Sequence, residues 1–341
     1  MAIKRVDKIK QKRHKQMKLV IMIPCLNEEK TLPLTLATIP KKIKGIKSID
    51  ILVIDDGCSD KTVQVAKKHG VKYFVHHTKT RGLAMSLRDG IMGALELGAD
   101  ILVLTDGDNQ YPQERIPDLV KPILDGKADT VIGDRQIETI DHFSFTKKLL
   151  QKLGTRVLNA TANTNIPDST SGFRAYSKEA AIKLNLIGRF NFAMETTLQA
   201  SHKRLNITTI KIKTNPKLRE SRLFKSQWQH VRKSAVALIN AYLMYKPFAV
   251  FLSIGVFLLI LGLIPFVHYL ILYIATKQPM FGTHHLQGLI IGGVLINASF
   301  VTLALGAIAN LIRINRSLIE DLLEEIRRER FNMASETRET D

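Results

Sequence analysis

Ile101-Leu-Val-Leu-Thr-Asp106-Gly-Asp108-Asn-Gln110-Tyr-Pro112 is an apolar run that stops on two carboxylates one residue apart, followed by an amide. So short a run, rich in β-branched residues, reads as a buried strand. The acids at its end belong in a cleft, because unpaired carboxylates are costly to bury. Oxygen donors at i, i+2 and i+4 suit a hard divalent cation such as Mg²⁺ or Mn²⁺, which could hold a diphosphate. Taken alone, an Asp-Gly-Asp turn is more often a solvated loop, so the surrounding chain has to decide.

Upstream, the same pattern recurs. Leu19–Pro24 is an apolar run ending in Pro24-Cys-Leu-Asn27-Glu28-Glu29, with Thr31 placed to cap a following helix. Ile49–Ile54 ends in Asp55-Asp56-Gly57-Cys58-Ser59-Asp60, where Ser59 or Asp60 would cap a helix over Lys61–His69. Lys72–His76 reads as a third strand, Arg81-Gly82 opens a helix through Glu96, and Thr130–Gly133 reads as a strand after Ile101–Thr105. Strands alternating with helices predict an α/β fold with an open, mostly parallel sheet. Ligands in such sheets bind at the carboxyl ends of strands. Asn27/Glu28, Asp55/Asp56 and Asp106/Asp108 all fall at such ends, which random solvated turns would not do.

Beyond Pro247 the composition changes. Residues from Phe248 to about Tyr273, and again from about Leu286 to Ile312, carry no charge. Each span exceeds the roughly 20 residues a helix needs to cross a bilayer, so two transmembrane helices are expected. The flanks hold Arg219, Arg222, Lys225, Arg232, Lys233 and Lys246 on one side and Arg313 and Arg316 on the other, whereas the connection has one lysine. Positive-inside bias puts the large N-terminal part in the cytoplasm. Phe224–Tyr245 interleaves apolar and basic residues at helical spacing, as an interfacial helix does. The organisation read from the sequence is therefore a basic tail (1–18), a catalytic domain (19–223), an interfacial amphipathic helix (224–246), two membrane helices (247–312) and a cytoplasmic helix and tail (313–341). The charged helix Ser317–Arg330 suits a partner protein, a second copy of the chain in a homo-oligomer, or plain solvent.

The formal net charge is +19, much of it in the first 18 residues, which points to a polyanionic partner such as anionic lipid or a phosphorylated substrate. No apolar stretch follows those charges, so no signal peptide is expected. Nucleic-acid binding rests on charge alone, without a zinc-finger, helix-turn-helix or aromatic RNA-binding motif, and is set aside. The two cysteines, Cys25 and Cys58, lack a zinc pattern and imply no disulfide framework, although a pairing between them stays open.

With these motifs in place, the chain resembles family 2 glycosyltransferases of the GT-A fold. The Pro-x-x-Asn-Glu, Asp-Asp-Gly-x-Ser-Asp and Asp-x-Asp-x-Gln motifs stand in the family's order and spacing. Asp168-Ser-Thr-Ser171-Gly172-Phe173-Arg174 is similar to a loop of the polyprenyl-phosphate branch, which includes dolichol-phosphate mannose and glucose synthases. The resemblance covers about residues 19–225. It implies that Pro24, Asn27 and Glu28 line the base and ribose, that Asp55 accepts hydrogen bonds from the base, and that Asp56 supports the turn. Asp106 would meet ribose or metal, while Asp108 and Gln110 would ligate the metal. Arg135, in Ile132-Gly-Asp-Arg, would meet a phosphate, and Ser171 and Arg174 would hold the acceptor phosphate. Arg219 and Arg222 would close over the donor phosphates, although the usual glycine and lysine of that segment are absent. Glu195 fits a family position near the acceptor, or a structural ion pair.

The activity so implied is inverting transfer of mannose or glucose from GDP-mannose or UDP-glucose to a polyprenyl or dolichyl phosphate, with Mg²⁺ or Mn²⁺ as cofactor and membrane lipid as the surroundings. A phosphomonoester is already ionised near neutral pH and needs no general base. Two rivals are a non-catalytic membrane scaffold and a processive polysaccharide synthase. The second normally carries a Gln-x-x-Arg-Trp motif, and the single tryptophan, Trp228, is not preceded by arginine.

Overall fold

The structure is a computed structural model. It describes residues 17–139, 145–186, 192–216, 236, 243, 246–277 and 283–340. The basic tail up to residue 16, Arg219, Arg222 and almost all of the expected interfacial helix lie outside the described residues. The chain divides into two compact units: Met1–Leu238 with Leu323–Asp341, and Ile239–Leu322.

The first unit is built on a seven-stranded sheet in the order β3-β2-β1-β4-β6-β5-β7. The strands are β1 (Met17–Cys25), β2 (Ile46–Asp55), β3 (Tyr73–His76), β4 (Ile101–Leu104), β5 (Thr130–Asp134), β6 (Arg174–Ser177) and β7 (Ile207–Lys211). Between them run α1 (Leu32–Thr38), α2 (Thr62–Lys68), α3 (Leu83–Glu96), α4 (Ile116–Leu124), α5 (Phe145–Ala162), α6 (Lys178–Lys183) and α7 (Phe192–His202). All pairings are parallel except those of β6, which runs antiparallel to both β4 and β5. The expected mostly parallel sheet is therefore present, with one reversed strand in its interior.

The residues of β1 show why the sheet is doubly covered. Leu19, Ile21 and Ile23 enter one apolar cluster with Ile101, Val103, Leu32 of α1 and Leu119 of α4. Val20 and Met22 enter the other, with Leu102, Leu104 and Leu87 of α3. Successive side chains of a strand point to opposite faces, so a continuous apolar run is what a strand buried on both sides requires. Pro24 is buried in the same strand, two residues beyond the last β1–β4 pair, Met22 with Leu104.

The unit also contains the end of the last helix, which the sequence reading gave to a partner, a second copy or solvent. Phe331 is 3% exposed and belongs to the apolar cluster of α3 and α6. Around it Arg328 makes a paired contact with Glu179 at 2.8 Å on each oxygen, and Arg327 donates to the Leu184 carbonyl at 2.7 Å. Lys203 meets Glu324 at 2.9 Å. A helix that looks amphipathic and solvated in sequence is thus a component of the sheet-bearing unit.

The second unit is a pair of helices, α8 (Pro247–Thr276) and the first part of α9 (Thr283–Thr340). Both are long and apolar enough to cross a membrane, and only 11% of each most apolar window is buried. Their contact is made by small residues. A Cβ on Gly262 would lie 2.9 Å from the Gly292 carbonyl, and one on Gly306 would lie 2.7 Å from Phe251. The Ser299 hydroxyl donates to the Gly255 carbonyl across the pair. Close backbone approach and a cross-helix hydrogen bond are what holds helices together where apolar surroundings give no hydrophobic drive.

Candidate active site

The carboxyl ends of β1, β2, β3 and β4 lie side by side, so the motifs that follow them share one edge. The turn after β1 is knitted to the turn after β2. Asn27, in a left-handed conformation (φ 58°), accepts from the Ser59 amide at 2.8 Å, and its own amide meets Cys58 Sγ. The Glu28 amide donates to Thr62 Oγ1 at 2.8 Å, and Glu28 Oε2 accepts from the Thr31 hydroxyl at 2.7 Å. Thr31 therefore serves Glu28 and does not cap α1 with its side chain. The helix α2 starts one residue later than expected, with Lys61 at its N-cap and no side-chain cap there; Asp60 instead accepts from the Thr62 amide. Gly57 (φ 78°) is obligatory in this turn, because a Cβ would stand 2.8 Å from the Thr80 nitrogen.

The Asp55/Asp56 pair splits its work. Asp55 accepts from the Cys58 amide at 2.7 Å and faces His76 Nδ1 at 3.0 Å. Burial works against its charge, but these two contacts outweigh it and hold the carboxyl below the usual aspartate range. Asp56 turns the other way and accepts from the Arg81 and Gly82 amides that open α3, at 2.8 and 2.9 Å. His77 is wedged between Asp56 and Asp89, with Nδ1 at 2.8 Å from the first and Nε2 at 3.1 Å from the second. Arg81, which received no contact in the sequence reading, meets Asp89 at 2.6 Å. His76, His77 and Asp89 escaped the sequence reading; the only signal was a pair of histidines at the carboxyl end of β3.

The two cysteines are neighbours here, since Cys58 Sγ lies 3.4 Å from the Cys25 carbonyl oxygen, and both are free. Burial pushes the Cys58 thiol up to about 11 and raises Cys25 as well, so both are poor nucleophiles.

After β4, Asp108 is braced by Gln110. The Gln110 amide donates to Oδ1 at 3.1 Å and its side-chain nitrogen to Oδ2 at 2.8 Å. Gln110, expected as a metal ligand, spends its side-chain nitrogen on Asp108 and so braces that carboxylate. Among the described residues no three His, Cys, Asp or Glu side chains converge as a ready metal cage. Asp106 and Asp108 remain as an all-oxygen pair, which is the donor set a small hard cation takes when phosphate and water complete its shell. Gly107 packs this loop on the first motif, since a Cβ there would lie 3.1 Å from Cys25 Sγ and 3.5 Å from Glu28.

The 168–174 loop stands against Asp106. A Cβ on Gly172 would lie 3.4 and 3.5 Å from the two Asp106 carboxylate oxygens. Arg135 reaches this loop from the end of β5. Its Nε and Nη2 donate to the fully buried Asp168 at 2.7 and 3.0 Å, and Nη2 also meets Thr170. Burial disfavours both charges. Asp168 nevertheless holds the Arg135 guanidinium above its ordinary value, and Arg135 holds Asp168 below its own. Among the described residues, the hydrogen bonds of the Arg135 side chain run through Nε and Nη2.

Arg174 and Ser171 are placed differently from the expectation. Both are 0% exposed. The Arg174 guanidinium donates to the Ser171 and Ser169 carbonyls and to the Thr196 and Thr197 hydroxyls, at 2.7 to 3.0 Å. A buried guanidinium with these four partners is a staple that shapes the loop, and two of the four lie on α7, the helix that also carries the buried Glu195. The Asn215 amide donates to the Gln110 carbonyl at 2.9 Å and its side chain to the Asn109 carbonyl at 3.0 Å. The start of the segment that leads to Arg219 and Arg222 is thereby fastened to the β4 loop.

Residues 20–184 match the family described as "Glycosyl transferase family 2". An uncharacterized protein of Methanocaldococcus jannaschii is 34% identical over 203 residues, spanning 57% of this chain and 80% of that protein. A dolichol-phosphate mannosyltransferase of Pyrococcus furiosus is 31% identical over 198 residues; the match spans 55% of this chain and only 54% of that relative's length. Among solved structures, glucosyl-3-phosphoglycerate synthase from Mycobacterium tuberculosis, in complex with Mn²⁺, UDP and glucosyl-3-phosphoglycerate, superposes with a TM-score of 0.51. It is 18% identical and the match covers 68% of this chain and 81% of that one, a likeness that bears on the fold. The expected GT-A-like arrangement, a mostly parallel sheet layered with helices, is borne out.

Proposed function

The chain belongs to glycosyl transferase family 2, and from that premise we propose that it transfers a hexose from a nucleoside diphosphate sugar to a polyprenyl phosphate at a membrane surface, with inversion. The observation that carries this reading is the meeting around Gly172 of Asp106, just after β4, and the 168–174 loop, which supports a donor-side carboxylate and an acceptor-side loop at one point. The relative named as a dolichol-phosphate mannosyltransferase supports the acceptor class. The two long apolar helices suit a substrate whose tail lies in lipid.

In this reading Asn27, Glu28 and Asp55 present the nucleoside pocket, and Asp56 holds its floor to α3. Asp106 and Asp108 would hold Mg²⁺ or Mn²⁺, which when bound neutralises charge on the departing diphosphate. Gln110 keeps Asp108 aimed. Arg135 meets a phosphate, while Asp168 fixes the guanidinium plane. The acceptor phosphate carries its own nucleophilic oxygen near neutral pH, so positioning and charge screening do the chemistry and no side chain has to remove a proton. The excess of Lys and Arg flanking α8 and α9 in the sequence supports a cytoplasmic side for the sheet-bearing unit.

The test is direct. The full chain in liposomes is given a panel of labelled nucleotide sugars with polyprenyl phosphate and Mn²⁺ or Mg²⁺, and the lipid is extracted. Label in a lipid monophosphate hexose is expected for one GDP- or UDP-sugar. No lipid product with any donor, or full transfer by Asp108→Ala in excess chelator, would overturn the proposal.

A further inference from the structure

Tyr111 is absent from every role assigned so far, yet it sits where the donor edge and the acceptor loop touch. It follows Gln110 directly and is 4% exposed. The Gly172 amide donates to its phenolic oxygen at 2.8 Å. A Cβ on Gly172 would lie 3.3 Å from that oxygen, as well as against both Asp106 oxygens, so hydroxyl and carboxylate flank the same point. The ring stacks on Phe173, with centroids 5.2 Å apart and planes at 10°. Its backbone is fixed too, because Gln113 Nε2 donates to the Tyr111 carbonyl at 3.1 Å and to Thr105 Oγ1 at 2.8 Å.

A phenol both accepts and donates. Here the accepting side is taken by the Gly172 amide. Burial lifts the hydroxyl to about 12, so it keeps its proton at any working pH. We propose that Tyr111 is a positioning residue: its hydroxyl ties the 168–174 loop to the β4 loop and so sets where the acceptor phosphate stands relative to the donor diphosphate. The role rests on the transferase reading above. The hydroxyl touches neither substrate; it holds two loops in register, one for each substrate.

The experiment uses the full chain in liposomes and Tyr111→Phe, which keeps the ring and its stack. Binding of GDP and UDP is measured with Mn²⁺, transfer kinetics with donor and acceptor varied separately, and hydrogen exchange at the Gly172 amide without ligand. Nucleotide affinity should stay within about twofold, while kcat/KM for polyprenyl phosphate falls about tenfold, the scale of one lost hydrogen bond. Exchange at Gly172 should accelerate, with the 106–110 segment unchanged. Gly172→Ala, which puts a methyl against the same oxygen, should impair the acceptor side by a similar factor. Unchanged acceptor kinetics in Tyr111→Phe, or a loss of nucleotide affinity as large as the loss in acceptor kcat/KM, would overturn the proposal. A wild-type chain that transfers nothing would instead sink the transferase reading, before any variant is compared, and this role with it.

Discussion

Asp108 receives two hydrogen bonds from the residue two positions on, so Gln110 braces the carboxylate. If Gln110 only orients the carboxylate, Gln110→Ala should raise the metal concentration needed for half-maximal turnover by about tenfold, the usual cost of losing such a supporting group. Asp108→Ala should abolish metal-dependent turnover, losing at least about a hundredfold. A metal titration of both variants checks this, and equal losses would make Gln110 a ligand after all. At this scale the sequence was legible in where Asp55, Asp56, Asp106 and Asp108 stand, at or just past the ends of apolar runs that form strands. It was misleading for Arg174 and Ser171. Nothing in Ser171-Gly-Phe-Arg174 announces that the guanidinium folds inward, because its partners Thr196 and Thr197 lie on a helix some twenty residues away. Arg135 could be read as cationic but not as half-committed, since Asp168 is brought to it only by the reversed strand β6.

Among the elements, β1, β2, β4 and β5 were readable because each is an apolar run of strand length closed by polar residues. β6 and β7 were not. Arg-Ala-Tyr-Ser is too short and mixed to signal a strand, and Ile-Thr-Thr-Ile-Lys is only half-buried at the sheet edge. The end of α9 was missed for a different reason: its arginines and glutamates look like a solvated face until their partners on α6 are known. Glu179 makes the point testable. Hydrogen bonds from Arg328 hold it at about 2, against an ordinary value near 4.5. A folded value below the unfolded one gives stability that is complete above the unfolded value and lost as pH falls toward about 2. Glu179→Gln should therefore flatten the loss of stability between pH 5 and 2, measured by chemical unfolding. Phe331→Ala, at a 3% exposed site, should cost about 3 kcal/mol of stability at neutral pH. In the helix pair, Gly262→Val should lower the melting temperature in detergent, because its Cβ would meet Ile296 and the Gly292 carbonyl at 2.8 and 2.9 Å. Gly293→Val, with nothing within 4 Å, should leave it unchanged.

For the molecule as a whole, the change of composition at residue 247 does not mark off everything the sheet-bearing unit contains. The sheet-bearing unit takes in Leu323–Asp341 as well as the N-terminal residues. A chain cut after residue 246 should therefore unfold more easily than the full chain, independently of any membrane. A synthetic peptide covering 320–341 should restore part of the difference, read by the denaturation midpoint. A cut chain as stable as the full one would show the docked helix end to be dispensable. The discontinuity also fixes an order of events in synthesis. Domains generally fold from the N-terminus as the ribosome delivers them. Here the slot that receives Phe331 has to wait, open and greasy, until both apolar helices have been translated and the final turns of α9 have left the exit tunnel. A premature stop between codons 323 and 331 would spare every carboxylate of the candidate site and still release a protein whose flank was never closed.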